Sequence, residues 1–342
     1  MTKNKMFLSL AGLILVALLN VAASPKPEPE IKLLFSGQIV PGRCVQAGVD
    51  KNGNADYIYS NIRSIIQNAD LAIGTLNGSM SNECTPIGCI DTSILLNGRP
   101  EHAAAMERAG FDGMSVATNH INNCSTTNAG FRPFQDTLSY LKKANIQPIG
   151  GGNNLEEALK PVVFVVKGVR FAIISLGEIE KNVFAGENHP GTAPLTDSNL
   201  YKAILAARKV ADVVIFMPHW GPEYNPIPNP GQMRYARLAL DWGADLVVGN
   251  HPHVIQAIKP LNGGGKTVPV FYGLGNFVFD QSWDLRLKSS LLLEITFEGS
   301  HYQGYRIIPL VTAKNGTVSI ATGENAAQIL RNLETATRKT KQ

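Results

Sequence analysis

From residue 31 onward, short apolar runs alternate with amphipathic stretches of helical period, the pattern of an α/β domain. The runs "IKLLFSG" (31–37), "DLAIGTL" (70–76), "GMSVAT" (113–118) and "IQPIG" (146–150) read as strands, with helices expected over 56–69, 101–109 and 131–144. "PVVFVVKGVRFAIISLG" (161–177) holds two β-branched runs joined at Lys167-Gly168, a hairpin signal. A helix over 200–210, the strand "DVVIFMPHWG" (212–221), a helix over 233–242 and the strand "ADLVVG" (244–249) continue the alternation. "TVPVFYGLGNFVF" (267–279), "SSLLLEITFEG" (289–299) and "YRIIPLVTAK" (305–314) read as closing antiparallel strands. No repeat and no linker interrupts this pattern, so residues 31–325 read as one domain and 326–342 as a C-terminal tail.

Strand after strand ends in a glycine or a polar group. These ends are Gly37-Gln38, Thr75-Leu76-Asn77, Thr118-Asn119-His120, His219-Trp220-Gly221, Gly249 to His253, and Gly275-Asn276. In α/β sheets the loops at the carboxyl ends of strands gather on one edge, where ligands bind. Four of the seven histidines, His120, His219, His251 and His253, fall at that edge, while His102, His189 and His301 fall outside it and need no functional account. His251 and His253, two residues apart with Pro252 between them, lie on one side of an extended backbone, suited to grip one metal ion or to flank one anion. The alternative is a strand-end loop that is simply polar.

The amino terminus changes the setting. Lys3 and Lys5 precede an apolar core over 6–19 and the small residues Val21-Ala22-Ala23, the layout of a secretory signal over 1–23; an uncleaved anchor is the alternative. "PKPEPE" then reads as a stiff spacer, so 24–30 is set apart from the domain. The chain is therefore expected outside the membrane, periplasmic or extracellular. A net charge of +4, from 31 basic and 27 acidic residues without a basic run, gives no footprint for nucleic acid. In an oxidising compartment the four cysteines favour disulfides over a thiol nucleophile or zinc finger. Spacing suggests Cys84 with Cys89 as a local staple, leaving Cys44 to pair with Cys124.

Taken together, "GQIVPGR" (37–43), "TLN" (75–77), "TNH" (118–120), "HWGPEY" (219–224), "NHPHV" (250–254) and "YGLGNFVFDQ" (272–281) resemble the ordered motifs of the CapA capsule-biosynthesis family, also called PgsA-like poly-γ-glutamate synthesis proteins. The resemblance covers roughly 31–285. It implies a metallophosphoesterase-like (calcineurin-like) α-β-β-α sandwich with mixed sheets. Two positions depart from the family. Its first-motif aspartate is Gln38 here and its second-motif glutamate is Asn77. Those carboxylates are expected to ligate and bridge two metal ions, and neutral amides cannot offset the repulsion between two dications.

By the same resemblance, His219, His251 and His253, with Asn119, form a ligand set for one Zn or Mn ion, or none. His120 is placed as a general acid, with Asn119 beside it and Glu223 or Asp280 as base or supporting carboxylate. Arg43, Gln38, Asn77 and Asn276 are the expected substrate-binding groups, Arg43 by bidentate contact with a carboxylate or phosphate. Three functions remain open. One is a hydrolase or transferase with a reduced metal site, acting on a phosphoester or γ-linked polymer. The second is a noncatalytic protein that binds an acidic or phosphate-bearing envelope polymer, or a membrane capsule-synthase complex. The third treats the polar loops as packing alone.

Overall fold

The computed structural model describes residues 28–126 and 128–340. The signal over 1–23 and most of the spacer lie outside those residues, and Glu30 already belongs to the first strand. Two mixed sheets stack face to face with helices outside each, the expected α-β-β-α sandwich. The first strand, Glu30–Ile39, shows how period-two alternation builds these layers. Leu34 points to a core shared with the helices Glu101–Ala109 and Arg132–Lys143, whereas Ile31, Leu33 and Phe35 point to the core between the sheets. In the second sheet, Phe171 and Ile173 face that same inter-sheet core, while Ala172, Ile174 and Leu176 pack on the helices Asp197–Arg208 and Pro230–Asp241.

The eight-stranded sheet sets Glu30–Ile39 parallel to Leu71–Leu76, which is followed by Gly113–Ser115 and Gln147–Ile149. Ser289–Glu298 pairs antiparallel on its other side. The six-stranded sheet has a parallel centre, Val169–Gly177, Val213–His219, Leu246–Val248 and Lys266–Phe271, with antiparallel edges Val162–Val166 and Ile258–Gly263. The hairpin read at Lys167-Gly168 is present.

Several expectations need correction. The helix expected over 56–69 is broken into a 3-10 turn, Asp56–Tyr59, and a short helix, Arg63–Gln67. Ile62, between them, has a φ of −130° that interrupts the helical backbone, and Asn61 Nδ2 donates to Ser319 Oγ. The strand expected over 267–279 is divided, because its chain passes from one sheet to the other: Lys266–Phe271 lies in the second and Asn276–Val278 in the first. Gly275, with φ of +81°, makes that crossing, and its carbonyl approaches Gly37 so closely that a Cβ there would lie 2.1 Å from it. Most of the tail read over 326–342 is the helix Gly323–Lys339, whose Ile329 and Leu333 join the inter-sheet core. Among the described residues no helix is long and apolar enough to cross a membrane.

The cystine pairing differs too. The bridges are Cys44–Cys89 and Cys84–Cys124, spanning 45 and 40 residues, not Cys84–Cys89 and Cys44–Cys124. The segment 84–89 is not a self-closed staple. It ties the long loop after Leu71–Leu76 to two other elements, the start of helix Arg43–Asn52 through Cys44 and the loop carrying His120 through Cys124.

Candidate functional site

All six polar strand ends meet at one edge, where both sheets present their carboxyl ends. Hydrogen bonds join the sheets there: Asn250 Nδ2 donates to Thr75 Oγ1 at 2.8 Å, and His219 Nε2 lies 3.0 Å from Asn119 Oδ1. Gln38, Asn77, His219, His251, His253 and Asn276 are buried. Four non-glycine residues with left-handed backbone, Arg43, Tyr224, His251 and His253, lie at this edge. Such conformations cost energy and persist where surrounding contacts hold them.

The positions of the two missing carboxylates are bonded to each other. His120 N donates to Asn77 Oδ1 (3.1 Å), Asn77 Nδ2 donates to Gln38 Oε1 (2.8 Å), and Gln38 Nε2 donates to the carbonyl of His251 (3.2 Å). Backbone groups fix the direction of this relay. The His120 amide only donates and the His251 carbonyl only accepts, so neither side-chain amide can turn over without losing a bond. Each amide oxygen accepts an N–H and neither side chain carries charge, so two positive ions would meet no carboxylate at these two positions. The dinuclear centre does not fit this donor set.

The histidines divide rather than converge. Asn276 Nδ2 donates to the Leu287 carbonyl, which turns Asn276 Oδ1 toward His253 Nδ1 at 2.9 Å, and Gln38 Nε2 stands 3.2 Å from the same nitrogen. His253 is left with Nε2, 3.7 Å from Glu223 Oε1. His251 Nδ1 instead faces His219 Nε2 at 3.2 Å. Two donors about 2.1 Å from one ion lie roughly 3.4 Å apart in tetrahedral geometry, and the Asn119–His219 and His219–His251 separations of 3.0 and 3.2 Å come near that value. His253 Nδ1 instead meets Asn276 Oδ1 and Gln38 Nε2, so it stands apart from the contact between His219 and His251. Among the described residues, no group of three or more His, Cys, Asp or Glu is arranged to hold a metal.

Matched against families, residues 32–281 fit the bacterial capsule synthesis protein PGA_cap model. This chain belongs to that family. The capsule biosynthesis protein CapA of Bacillus anthracis is 28% identical over 92% of this chain and 75% of its own. The PGA biosynthesis protein CapA of Bacillus subtilis is 32% identical over 81% of this chain and 70% of its own. A probable polyglutamine synthesis accessory protein of Mycobacterium tuberculosis is 26% identical over 48% of this chain and 44% of its own. Among solved structures, a phosphatase from Mycoplasma pneumoniae aligns over 83% of this chain and 94% of its own, with a TM-score of 0.49 and 14% identity. A 5'-nucleotidase precursor from Thermus thermophilus aligns over 90% and 58%, with a TM-score of 0.47 and 16% identity. Scores this low carry no argument about chemistry.

Within the family frame, several side chains hold positions the motifs alone did not disclose. Arg43 is not free for substrate: it donates from Nε and Nη2 to buried Asp280, from Nη1 to the Ser93 carbonyl, and lies over Phe279. Asp280 is thus a structural counter-ion, also accepting from Cys44 N. Asn276 positions His253 from a buried place. Asn123, absent from the sequence reading, sets His120 through an Oδ1 to Nδ1 contact of 2.8 Å and accepts from Leu96 N (3.1 Å). The loop held by both cystines supplies one wall of a cleft of about 320 Å³. His120, Glu223, Tyr224 and His253 face that cleft, with Trp283 at its rim. Asn123 and Trp283 carry no sequence signal, since neither lies in a family motif.

Burial governs the electrostatics. His219 is held well below the usual histidine range by desolvation and by its neighbouring histidines; desolvation, reinforced by His253, brings His251 down to about 3. Desolvation also lowers His120, and lowers His102 outside the site to about 4. Contact with His253 is the main cause that brings Glu223 down to about 2, keeping it ionised. Above pH 6.5 these histidines are neutral whether folded or unfolded. As pH falls from about 6.5 toward 4, the unfolded chain takes up protons that the folded chain refuses, so stability falls by up to ~1.4 kcal/mol per pH unit for each group. Denaturant melts at pH 7 and pH 5 should show this loss, and His102→Gln should remove one group's share. An unchanged midpoint between the two pH values would refute it.

Proposed function

We propose that this chain acts outside the membrane in the biosynthesis of a capsule-type polymer, and does so by binding rather than by two-metal phosphoester hydrolysis. Its partners are the acidic envelope polymer and the membrane complex that makes it. The observation that carries this reading is the Gln38–Asn77 amide relay, which fills the place of the bridging carboxylates with neutral groups whose oxygens are already bonded. Family membership supplies the biological setting, and two cystines suit an oxidising compartment. In this reading His120 and Glu223 are contact groups of the cleft. The test combines two assays on purified chain: turnover of a generic phosphodiester with Mn²⁺ or Zn²⁺, and retention of poly-γ-glutamate on immobilised protein. No turnover with polymer retained is the expected pair of results. Metal-dependent turnover abolished by His251→Ala would overturn the reading.

A second reading is favoured by one observation, the spacing of Asn119, His219 and His251. These residues would hold one divalent ion, which when bound would supply Lewis-acid chemistry, with His120 placed to protonate a leaving oxygen. His219→Ala and His251→Ala should then abolish ion binding by calorimetry, whereas His189→Ala in a remote loop should retain it. Equal retention in all three variants would exclude the imidazoles as ligands.

A further inference from the structure

The cleft beside His120 and His253 is built for the opposite charge from the one an acidic polymer would suggest. Among the described residues that line it, Arg43 is the only Lys or Arg, and its side chain is 4% exposed and committed to Asp280 and Ser93. It offers no cation to a carboxylate or phosphate. Two carboxylates do face the cleft, Asp91 and Glu223. Lys314 neutralises Asp91 from outside, at 2.7 Å. The side chain of Glu223 is 39% exposed and lies 3.7 Å from His253 Nε2, which leaves its carboxylate open to a donor from the cleft.

Around Glu223 the walls are aromatic and aliphatic. Tyr224 stacks on His253 with 5.8 Å between ring centroids and keeps 44% of its surface exposed. Trp283 is 60% exposed and Ile94, across the cleft on the cystine-held loop, is 75% exposed. A carboxylate flanked by open aromatic faces is the arrangement that recognises a cation on an apolar stem.

We propose that this cleft binds a primary ammonium group carried on an aliphatic stem, with Glu223 accepting its hydrogens and Tyr224, Trp283 and Ile94 covering the stem. The inference rests on the reading of the cleft as a binding site and names what it grips. For a γ-linked acidic polymer that group is the amino end of the chain, whose α-carboxylate, on the same carbon, would then point out of the cleft to solvent. An amine on a molecule that accepts the polymer would offer the same chemistry.

Calorimetric titration of the full chain with three probes separates these cases: a γ-linked glutamate trimer with a free amino end, the same trimer N-acetylated, and Nα-acetyl-lysine amide. The trimer with a free amine should bind at least tenfold more tightly than its acetylated form if the polymer end is the ligand. Preference for the lysine amide over both trimers would assign the ammonium to an acceptor instead. In either case Glu223→Gln should weaken binding at least tenfold and Trp283→Ala several-fold, the latter with an unchanged melting temperature. Equal binding of the free and acetylated trimers, sensitive to Trp283→Ala, would overturn the ammonium claim while leaving the chain a polymer-binding protein. Binding of no probe would overturn the claim as well, and the retention assay on long polymer would then judge the binding reading by itself.

Discussion

Replacing Asp280 by Asn is expected to cost about 3–5 kcal/mol, because it leaves the Arg43 guanidinium buried without its counter-charge. Arg43 and Asp280 are 4% and 0% exposed, and the carboxylate also accepts from the Cys44 amide at the start of the first helix. The pair therefore joins the Asn276–Val278 strand end to that helix and to the Cys44–Cys89 bridge. A fall of roughly 10 °C in melting temperature should follow. Asp284→Asn is the control. Its partner Arg286 is 53% exposed, and surface pairs of this kind contribute at most about 1 kcal/mol. Replacing both Arg43 and Asp280 by apolar residues of similar size should recover much of the loss, since no charge is then stranded. Equal small effects from Asp280→Asn and Asp284→Asn would show that the buried pair is not what holds this corner.

The second large effect is expected from Gln38→Glu with Asn77→Asp, which keeps side-chain size and changes charge. Both positions are 0% exposed, and the new carboxylates would face each other and the His251 carbonyl across distances now spanned by N–H donors. Every link of the relay that uses a side-chain N–H would be lost and two buried anions created. Without metal the double variant should lose more than about 3 kcal/mol or retain a proton on one carboxylate. Adding Mn²⁺ or Zn²⁺ should restore most of that loss, by binding the folded state alone. The parent chain should show little metal-dependent stabilisation beyond that of a single weak site. A double variant as stable as the parent with chelator present would mean that the amide relay contributes nothing.

Much of this was legible because strand ends carry their chemistry in order along the chain. Period-two runs place Gln38, Asn77, His219 and His251 at the carboxyl ends of strands, and parallel pairing then has to bring them to one edge. What could not be read was orientation. That His253 turns Nδ1 to Asn276, and so stands apart from His219 and His251, depends on Asn276 being fixed by the Leu287 carbonyl eleven residues away. Arg43 looks available for substrate because nothing local pairs with it; its partner lies 237 positions on. The cystines mislead for the same reason. Spacing favours the short loop 84–89, whereas the fold carries Cys44 and Cys124 to opposite ends of that loop. Helix Gly323–Lys339 reads as a tail although its Ile329, Leu333 and Ala336 follow helical spacing and are buried.

If amides at positions 38 and 77 have removed a two-metal centre, the metal content of the native chain must show it. The chain would be purified without chelator and dialysed against Mn²⁺ and Zn²⁺ before mass-spectrometric counting. At most one divalent ion per chain is expected, lost in His251→Ala and held by Asn119, His219 and His251 where it is present. Two tightly held ions per chain would contradict the loss of the centre and assign the bridging charge to another carboxylate, with Glu223 the nearest.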